Sequence, residues 1–486
     1  MFDTIISWIV GHPYQVAGLI MVPVMPLLVF HVLPLLVLME RRGAAFIQDR
    51  AGPNRVSLNL QFGGFDSIFG SGSGKEANGL RLRAFGLLYN LTDAVKLLFK
   101  ENFVPPFVQK GFYTVAPMIP MFIGLITPAL LPWFSPMIYE TAEGFGVLTG
   151  QTINANSGIL MLFAISSLSV YGVVLGSWAS NSKYSLLGGM RASAMMISYE
   201  VSMGLSVMGM LLIVGSLSLS DVAEWQAQHT WGIVVQPVGF MLFLVSMFAE
   251  CNRNPFDVAE GESEIVAGFL TEFNGVRFML MMAAEYLHMI IACFLVATIY
   301  LGGYHVLPFP LPLAGFDAPW VHLDGDWLKA NLGLVVALFL APAGIGAIIG
   351  GYLIGGRAKI VAKSDASAQE KTLRSREYGF YRIVFTIAGV GILVGAVAAL
   401  ALIHTAPLKT VEGFVFWPGW VNLVAGIVQF HVILGKALLL AWLFVWVRWT
   451  LPRFRYDQIM SLGWKVMLNL ALVNLLVTAI VAKLFQ

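Results

Sequence analysis

The chain has 486 residues, is 58% hydrophobic and only 12% charged, and has a mean hydropathy of +0.78. Apolar runs of about twenty residues recur from end to end, which excludes an ordinary soluble enzyme and marks an all-α, polytopic membrane protein. The net charge of +2 singles out no partner, and two distant cysteines, Cys251 and Cys293, exclude a Cys-ligated iron–sulfur cluster or c-type haem attachment within this chain.

The N-terminal stretch has no basic n-region and no small-residue cleavage site, so no secretory signal is expected. Ten spans are predicted, at 15–38, 112–134, 158–178, 192–215, 233–249, 278–301, 331–356, 383–403, 421–447 and 466–484, in a single membrane domain, 1–486. The 233–249 segment is at the lower limit for crossing. Connections 39–111, 179–191, 250–277, 357–382 and 448–465 hold 10, 2, 2, 7 and 4 of the 29 lysines and arginines, so the positive-inside rule puts both termini outside and the 250–277 loop in the cytoplasm.

Past the first span lie Glu40, Arg41, Arg42, Asp49, Arg50 and Arg55. The arginines suit ordinary anchoring; Glu40 does not. A cytoplasmic linker over 57–83 contains the flexible GSGSGKEANG run at 70–79. Segment 84–101 sets Phe85, Leu88, Leu91, Val95 and Leu98 near one face, with Asp93, Lys96, Lys100 and Glu101 elsewhere. It reads as an amphipathic helix, lying either in the membrane interface or against a soluble partner.

Between 250 and 272 the chain packs six carboxylates, Glu250, Asp257, Glu260, Glu262, Glu264 and Glu272, with one internal base, Arg253. If Asn254 caps a short helix with Pro255 in its first turn, Asp257, Glu260 and Glu264 share one stripe and Glu262 points away. Acids in a first helical turn simply suit the helix dipole. Like charges close together in a poorly solvated place share protons instead. Glu200 and Glu285, each seven or eight residues into a span, favour the second reading, because ionisable groups inside membrane helices usually line a path. Lys436, His431 and His31 are candidate partners for them. No nucleotide-binding loop, dinucleotide fingerprint or Cys/His metal spacing occurs.

Taken together, these segments resemble the H-subunit family of NADH:quinone oxidoreductase, respiratory complex I, the counterpart of mitochondrial NADH dehydrogenase subunit 1. The resemblance is carried by Glu40-Arg41-Arg42 with Gln48 through Asn54, Gly86 through Lys96, Asn181 through Arg191, and Ser198-Tyr199-Glu200. It is strongest at Ala249 through Asp257 with Phe256, at Glu260 through Gly268, at Ala284-Glu285-Tyr286 and at Leu451 through Gln458. It implies a non-redox subunit of a proton-pumping translocase in the bacterial inner membrane. Such a subunit forms a quinone access tunnel shaped by Arg41, Arg50, Arg55, Asp93, Lys96, Arg253 and Phe256. It also forms a carboxylate path through Glu40, Glu200, Glu250, Asp257, Glu260, Glu262, Glu264 and Glu285. The substrate implied is a quinone, ubiquinone or menaquinone. Flavin and iron–sulfur clusters belong to partner subunits, lipid surrounds the chain, no covalent cofactor is expected and nucleic acid is not a partner. The alternatives are the equivalent subunit of a membrane-bound hydrogenase-type complex and a stand-alone cation/proton transporter.

The chain departs from the family pattern at Ala259, where Pro is common, and at Tyr89-Asn90, where Gln-Pro is frequent. Segments 57–83 and 305–420 read as insertions, the second adding two spans. There, Gly346/Gly350, Gly351/Gly355 and Gly391/Gly395 predict close helix packing.

Overall fold

The structure is a computed structural model that describes residues 13–50, 52–53, 56, 58–60, 80–141, 144–305, 325–362, 368–411 and 414–485. Arg55 and the 70–79 linker lie outside the described residues, as does the Glu262 side chain. In chain order the helices are α1 (Pro13–Ile47), α2 (Leu87–Phe99), α3 (Lys110–Val115), α4 (Met118–Ile126), α5 (Gly158–Ser167), α6 (Ser169–Ala179), α7 (Lys183–Val214), α8 (Leu219–Gln228) and α9 (Gly232–Val235). They continue with α10 (Pro237–Glu250), α11 (Glu262–Ile265), α12 (Gly275–Tyr300), α13 (Gly325–Ala330), α14 (Leu332–Ala362), α15 (Ala368–Leu402), α16 (Gly419–Thr450), α17 (Tyr456–Ser461) and α18 (Leu468–Phe485). Three short antiparallel hairpins are the strand content of the described residues: β1 (Leu58–Leu60) with β2 (Leu80–Leu82), β3 (Met137–Thr141) with β4 (Gly144–Leu148), and β5 (Lys409–Val411) with β6 (Phe414–Phe416).

Among the described residues nine helices are long and apolar enough to cross a membrane, which makes this a multi-pass helical bundle. The tenth expected span is α10. Pro237 opens it after the separate turn α9, and its 14 residues reach about 21 Å at 1.5 Å per residue, short of a ~30 Å hydrocarbon core. The 112–134 span is also broken. Pro117 separates α3 from α4, and Thr127–Leu130 tightens into a 3-10 turn.

The chain divides into two compact units. The first comprises Met1–Arg50, Ala94–Gly325 and Asn422–Gln486. At its centre is α12, whose apolar window is 67% buried, the largest share among the described spans. Around it, Phe248 of α10 stacks on Phe444 of α16 at 3.8 Å, and Trp133 meets Phe294 of α12 edge-on. Lys436 of α16 does not meet a carboxylate, as the sequence suggested. Its Nζ donates to the carbonyls of Leu301, Gly303 and His305 at 2.7, 2.8 and 2.7 Å, closing the C-terminal end of α12. His31 and His431 each bond a carbonyl of their own helix.

The second unit comprises Ala51–Asp93 and Asp326–Val421, so the two segments read as insertions fold on each other. Glu377 of α15, buried among mostly apolar neighbours, accepts the Arg83 N–H at 2.6 Å and the Tyr381 hydroxyl at 3.0 Å. The Ala84 N–H donates to Tyr381 Oη at 2.8 Å, and the Phe85 ring stacks on Tyr381. These contacts hold Ala84, Phe85 and Gly86, all at positive φ, in a left-handed turn that leads into α2. In α2, Leu91 and Leu98 are exposed while Asn90 is buried. The α14–α15 pair is close-packed, but through different glycines than expected. A Cβ on Gly344 would come within 3.0 Å of Gly389 O, and one on Gly389 within 2.8 Å of Gly344 O. Gly346 and Gly391 face open space, and Gly350 and Gly395 make only ordinary contacts.

Candidate functional site

The acidic segment does not fold as one helix. From Asn254 to Gly261 the backbone is irregular, and only Glu262–Ile265 makes a single helical turn, so the expected Asp257–Glu260–Glu264 stripe does not exist. The polar groups find tertiary partners instead. The Asn254 amide donates to the Arg448 and Leu451 carbonyls at 2.7 and 3.0 Å rather than capping a helix, and the Phe454 N–H donates to Pro255 O. Two glycines press the loop onto its neighbours. A Cβ on Gly188 of α7 would lie 2.5 Å from the Phe269 nitrogen. Gly268, at φ +51°, lies so near Ala259 O that a Cβ there would stand 1.7 Å from it.

Arg253 is the hub. Its side chain is 3% exposed, and Nη1 donates to Glu40 Oε2 at 3.0 Å while Nη2 lies 3.9 Å from Glu285 Oε2. The guanidinium also covers the Tyr286 ring, 4.2 Å from its centroid. Glu40, at the cytoplasmic end of α1 predicted by charge bias, takes three donors: Arg253, the Tyr286 hydroxyl at 2.8 Å, and Arg448 Nη1 at 2.5 Å on its other oxygen. That donor set explains why a carboxylate can be buried there. Burial opposes the charge on Arg253, but Glu40, Tyr286 and Glu285 overcome it and hold the guanidinium more firmly protonated than usual.

A second layer consists of paired carboxyls. Glu260 lies against Glu285, close enough for one carboxyl to donate to the other when protonated. One oxygen of each has no other hydrogen-bond partner. Burial first, and then Glu285, push the Glu260 carboxyl well above its usual range, against the pull of Arg253 and Arg448. Asp257 is buried and raised to about 6 by burial and then by Glu260, although Arg453 Nη2 donates to it at 2.9 Å.

Glu250 ends α10 at the bottom of the loop, with one oxygen buried and unpartnered. It feels the charge of Glu200. Two cavities of about 30 Å³ each meet at Glu250, Cys251 and His288. One reaches up to Glu285, Asn252 and Ser169; the other runs down to Thr127, Ser166 and Leu295. Each has room for a water molecule. Met196 lines the first and Met203 the second, so Glu200, at i+4 and i−3 from them, shares the α7 face that borders both.

The fold therefore brings Glu40, Arg253, Asp257, Glu260 and Glu285 into one cluster, with Glu250 and Glu200 beside it. It does not bring in Glu264, whose carboxylate is half exposed and pairs with Arg191 at 2.7 Å. Phe256 is a packing residue, held between the Tyr199 and Phe454 rings. Arg41, Arg50 and Lys96 are exposed, and Asp93 is half-buried on α2. Sequence reasoning missed Arg448 as a partner of Glu40 and assigned nothing to His288. The first looked like one more anchoring charge. The second offered a signal, since it lies three residues after Glu285 on the same helix face.

A model of the family described as NADH dehydrogenase matches residues 19–343 and 378–479. The first of two numbered NADH-quinone oxidoreductase H subunits, from Cytophaga hutchinsonii, is 31% identical over 446 residues, 92% of this chain and 91% of its own. The NADH-quinone oxidoreductase H subunit of Bdellovibrio bacteriovorus is 33% identical over 480 residues, 94% and 93% of the two chains. NADH-quinone oxidoreductase subunit 8 of Rhodothermus marinus is 31% identical over 456 residues, 93% of each.

Proposed function

Because the chain belongs to the NADH dehydrogenase family, as a multi-pass membrane subunit of NADH-quinone oxidoreductase, we propose that it couples quinone reduction to proton movement through the Arg253 cluster. The observation that carries this reading is the continuity of the buried groups. Asp257 and Glu260 in the loop connect through Glu285 to Glu250, and from there to Glu200, with cavities between them.

The chemistry needs such an arrangement. Reducing a quinone to a quinol takes two electrons and two protons. The electrons come from flavin and iron–sulfur clusters in partner subunits. The protons, or the charge left by their removal, fall on the nearest carboxyls. Asp257 and Glu260 are suited to this because burial holds each near the point where it exchanges a proton at working pH. Arg253 and Arg448 keep Glu40 ionised and so fix the charge at one end. A change at Glu260 is felt by its partner Glu285 and then along the cavities. The isoprenoid tail of a ubiquinone or menaquinone would lie on apolar surface of the kind α1 exposes at Leu27, Leu28 and Phe30 and α2 exposes at Leu91 and Leu98.

The test is Glu285→Gln in the whole complex, reconstituted in liposomes. Assembly is expected to survive, with NADH:quinone turnover and its proton pumping both lost. An assembled Glu285→Gln complex that pumps at the wild-type rate would overturn the reading.

A further inference from the structure

We infer that His288 is a proton relay joining the two cavities, carrying protons between the Glu260–Glu285 pair and the deeper end of the path. The inference rests on the coupling reading above and adds a residue and a direction to it.

One face of α12 supplies the lining of both cavities. Met281, Ala284, Glu285 and His288 border the loop-side cavity, and His288, Ile291, Ala292 and Leu295 border the deeper one. The spacing is that of a single helical stripe, and His288 is the one α12 residue common to both. Ten residues of α12 separate Glu285 from Leu295, about 15 Å of rise. Around His288, Leu, Ile, Met and Ala side chains offer no proton acceptor, so the ring and Glu250 are the titratable oxygen or nitrogen groups common to both spaces.

The ring is set up for transfer. Nδ1 lies 2.8 Å from Ala284 O, and a carbonyl can only accept, so Nδ1 carries the hydrogen. The neutral ring then presents Nε2 as an acceptor, and Nε2 is buried with no protein partner. A water in the loop-side cavity gives a proton to Nε2: its O–H bond breaks and an N–H bond forms. The resulting imidazolium keeps its Nδ1–H on Ala284 O and releases the Nε2 proton to a water on the other side. The ring ends as it began, and no oxidant or reductant is required. Glu250, which shares both cavities and has an unpartnered oxygen, provides the counter-charge beside the imidazolium.

The test uses the assembled complex in liposomes with three variants. His288→Phe fills the space without an acceptor, His288→Gln keeps polarity without titrating at working pH, and His288→Lys restores a protonatable nitrogen. With Phe and with Gln, turnover and pumping are expected to fall together by about 10-fold or more, the low end of what a lost proton-transfer group costs. The KM for quinone should stay unchanged, and Lys should recover most of the rate. A purely structural role predicts instead that Gln, the polar replacement, recovers activity and Lys does not. Wild-type pumping by His288→Gln overturns the relay. If Glu285→Gln is inactive in the same preparation, the coupling reading survives that result; if Glu285→Gln also pumps normally, both fall. Should the Phe variant fail to assemble, the Gln and Lys variants decide.

Discussion

Asp257 gives the sharpest thermodynamic test. Its carboxyl is raised from an ordinary 3.8 to about 6, a net effect in which burial and Glu260 outweigh Arg453 and Arg448. A folded-state pKa above the unfolded one means that the fold binds this proton more tightly. Its contribution to stability is therefore complete below pH 3.8 and disappears as pH rises through about 6. At 1.36 kcal/mol per unit, the difference between pH 4 and pH 8 is about 3 kcal/mol for this one group. Asp257→Asn is neutral at every pH, has nearly the same volume, and can still accept from Arg453 through its amide oxygen. The variant should match wild type near pH 4 and exceed it by up to about 3 kcal/mol at pH 8. The assay is the apparent unfolding midpoint of the detergent-solubilised protein, both forms, stepped across that range. An advantage that does not grow with pH, or a variant that is weaker at pH 8, would refute the claim that burial beats Arg453 at this position.

Arg253→Met leaves Glu40 with Arg448 and Tyr286 but strips Glu285 of its nearest cation. Breaking a buried pair from one side costs about 3–5 kcal/mol, so the chain should be depleted from membranes on an immunoblot. Arg253→Lys should assemble but lose turnover, since one ammonium cannot serve Glu40 and Glu285 as the two guanidinium nitrogens do. Gly268→Ala drives a Cβ into Ala259 O at a positive φ, so the 259–270 segment must shift. Faster amide exchange in that segment is the expected readout, and unchanged protection would show that the loop is not held there. Glu377→Ala removes the acceptor for Arg83 N–H and Tyr381, freeing the left-handed turn before α2. Proteolysis near residue 84 should become faster while the Arg253 cluster keeps its function.

What the sequence made legible was the inventory: Glu40, Arg253, Glu260 and Glu285 stand out because a charge beside or inside an apolar run needs a reason. What it hid was the arrangement. Glu40 and Arg253 are 213 positions apart, and no local pattern says that they meet. The helical stripe failed for the same reason. It asked neighbouring residues to explain one another, whereas Asp257 turns to Arg453 and Glu260 to Glu285, partners supplied by other elements. Lys436 shows how such an inference can misfire in a membrane span. A buried cation was matched to a buried anion, but the last carbonyls of α12 are also unsatisfied acceptors in a dry place, and three of them suffice. Arg448 is the converse. Counted among the charges that set orientation, it also reaches back to neutralise Glu40. A positive-inside residue near a helix end costs little to keep charged, which makes it the natural donor for a carboxylate that must stay ionised just inside the boundary. The loop's acids then divide by what faces them. Glu264, opposite one arginine and open to water, is held as an ordinary ion pair, while Glu260, opposite another carboxyl and shielded from water, is left to exchange a proton.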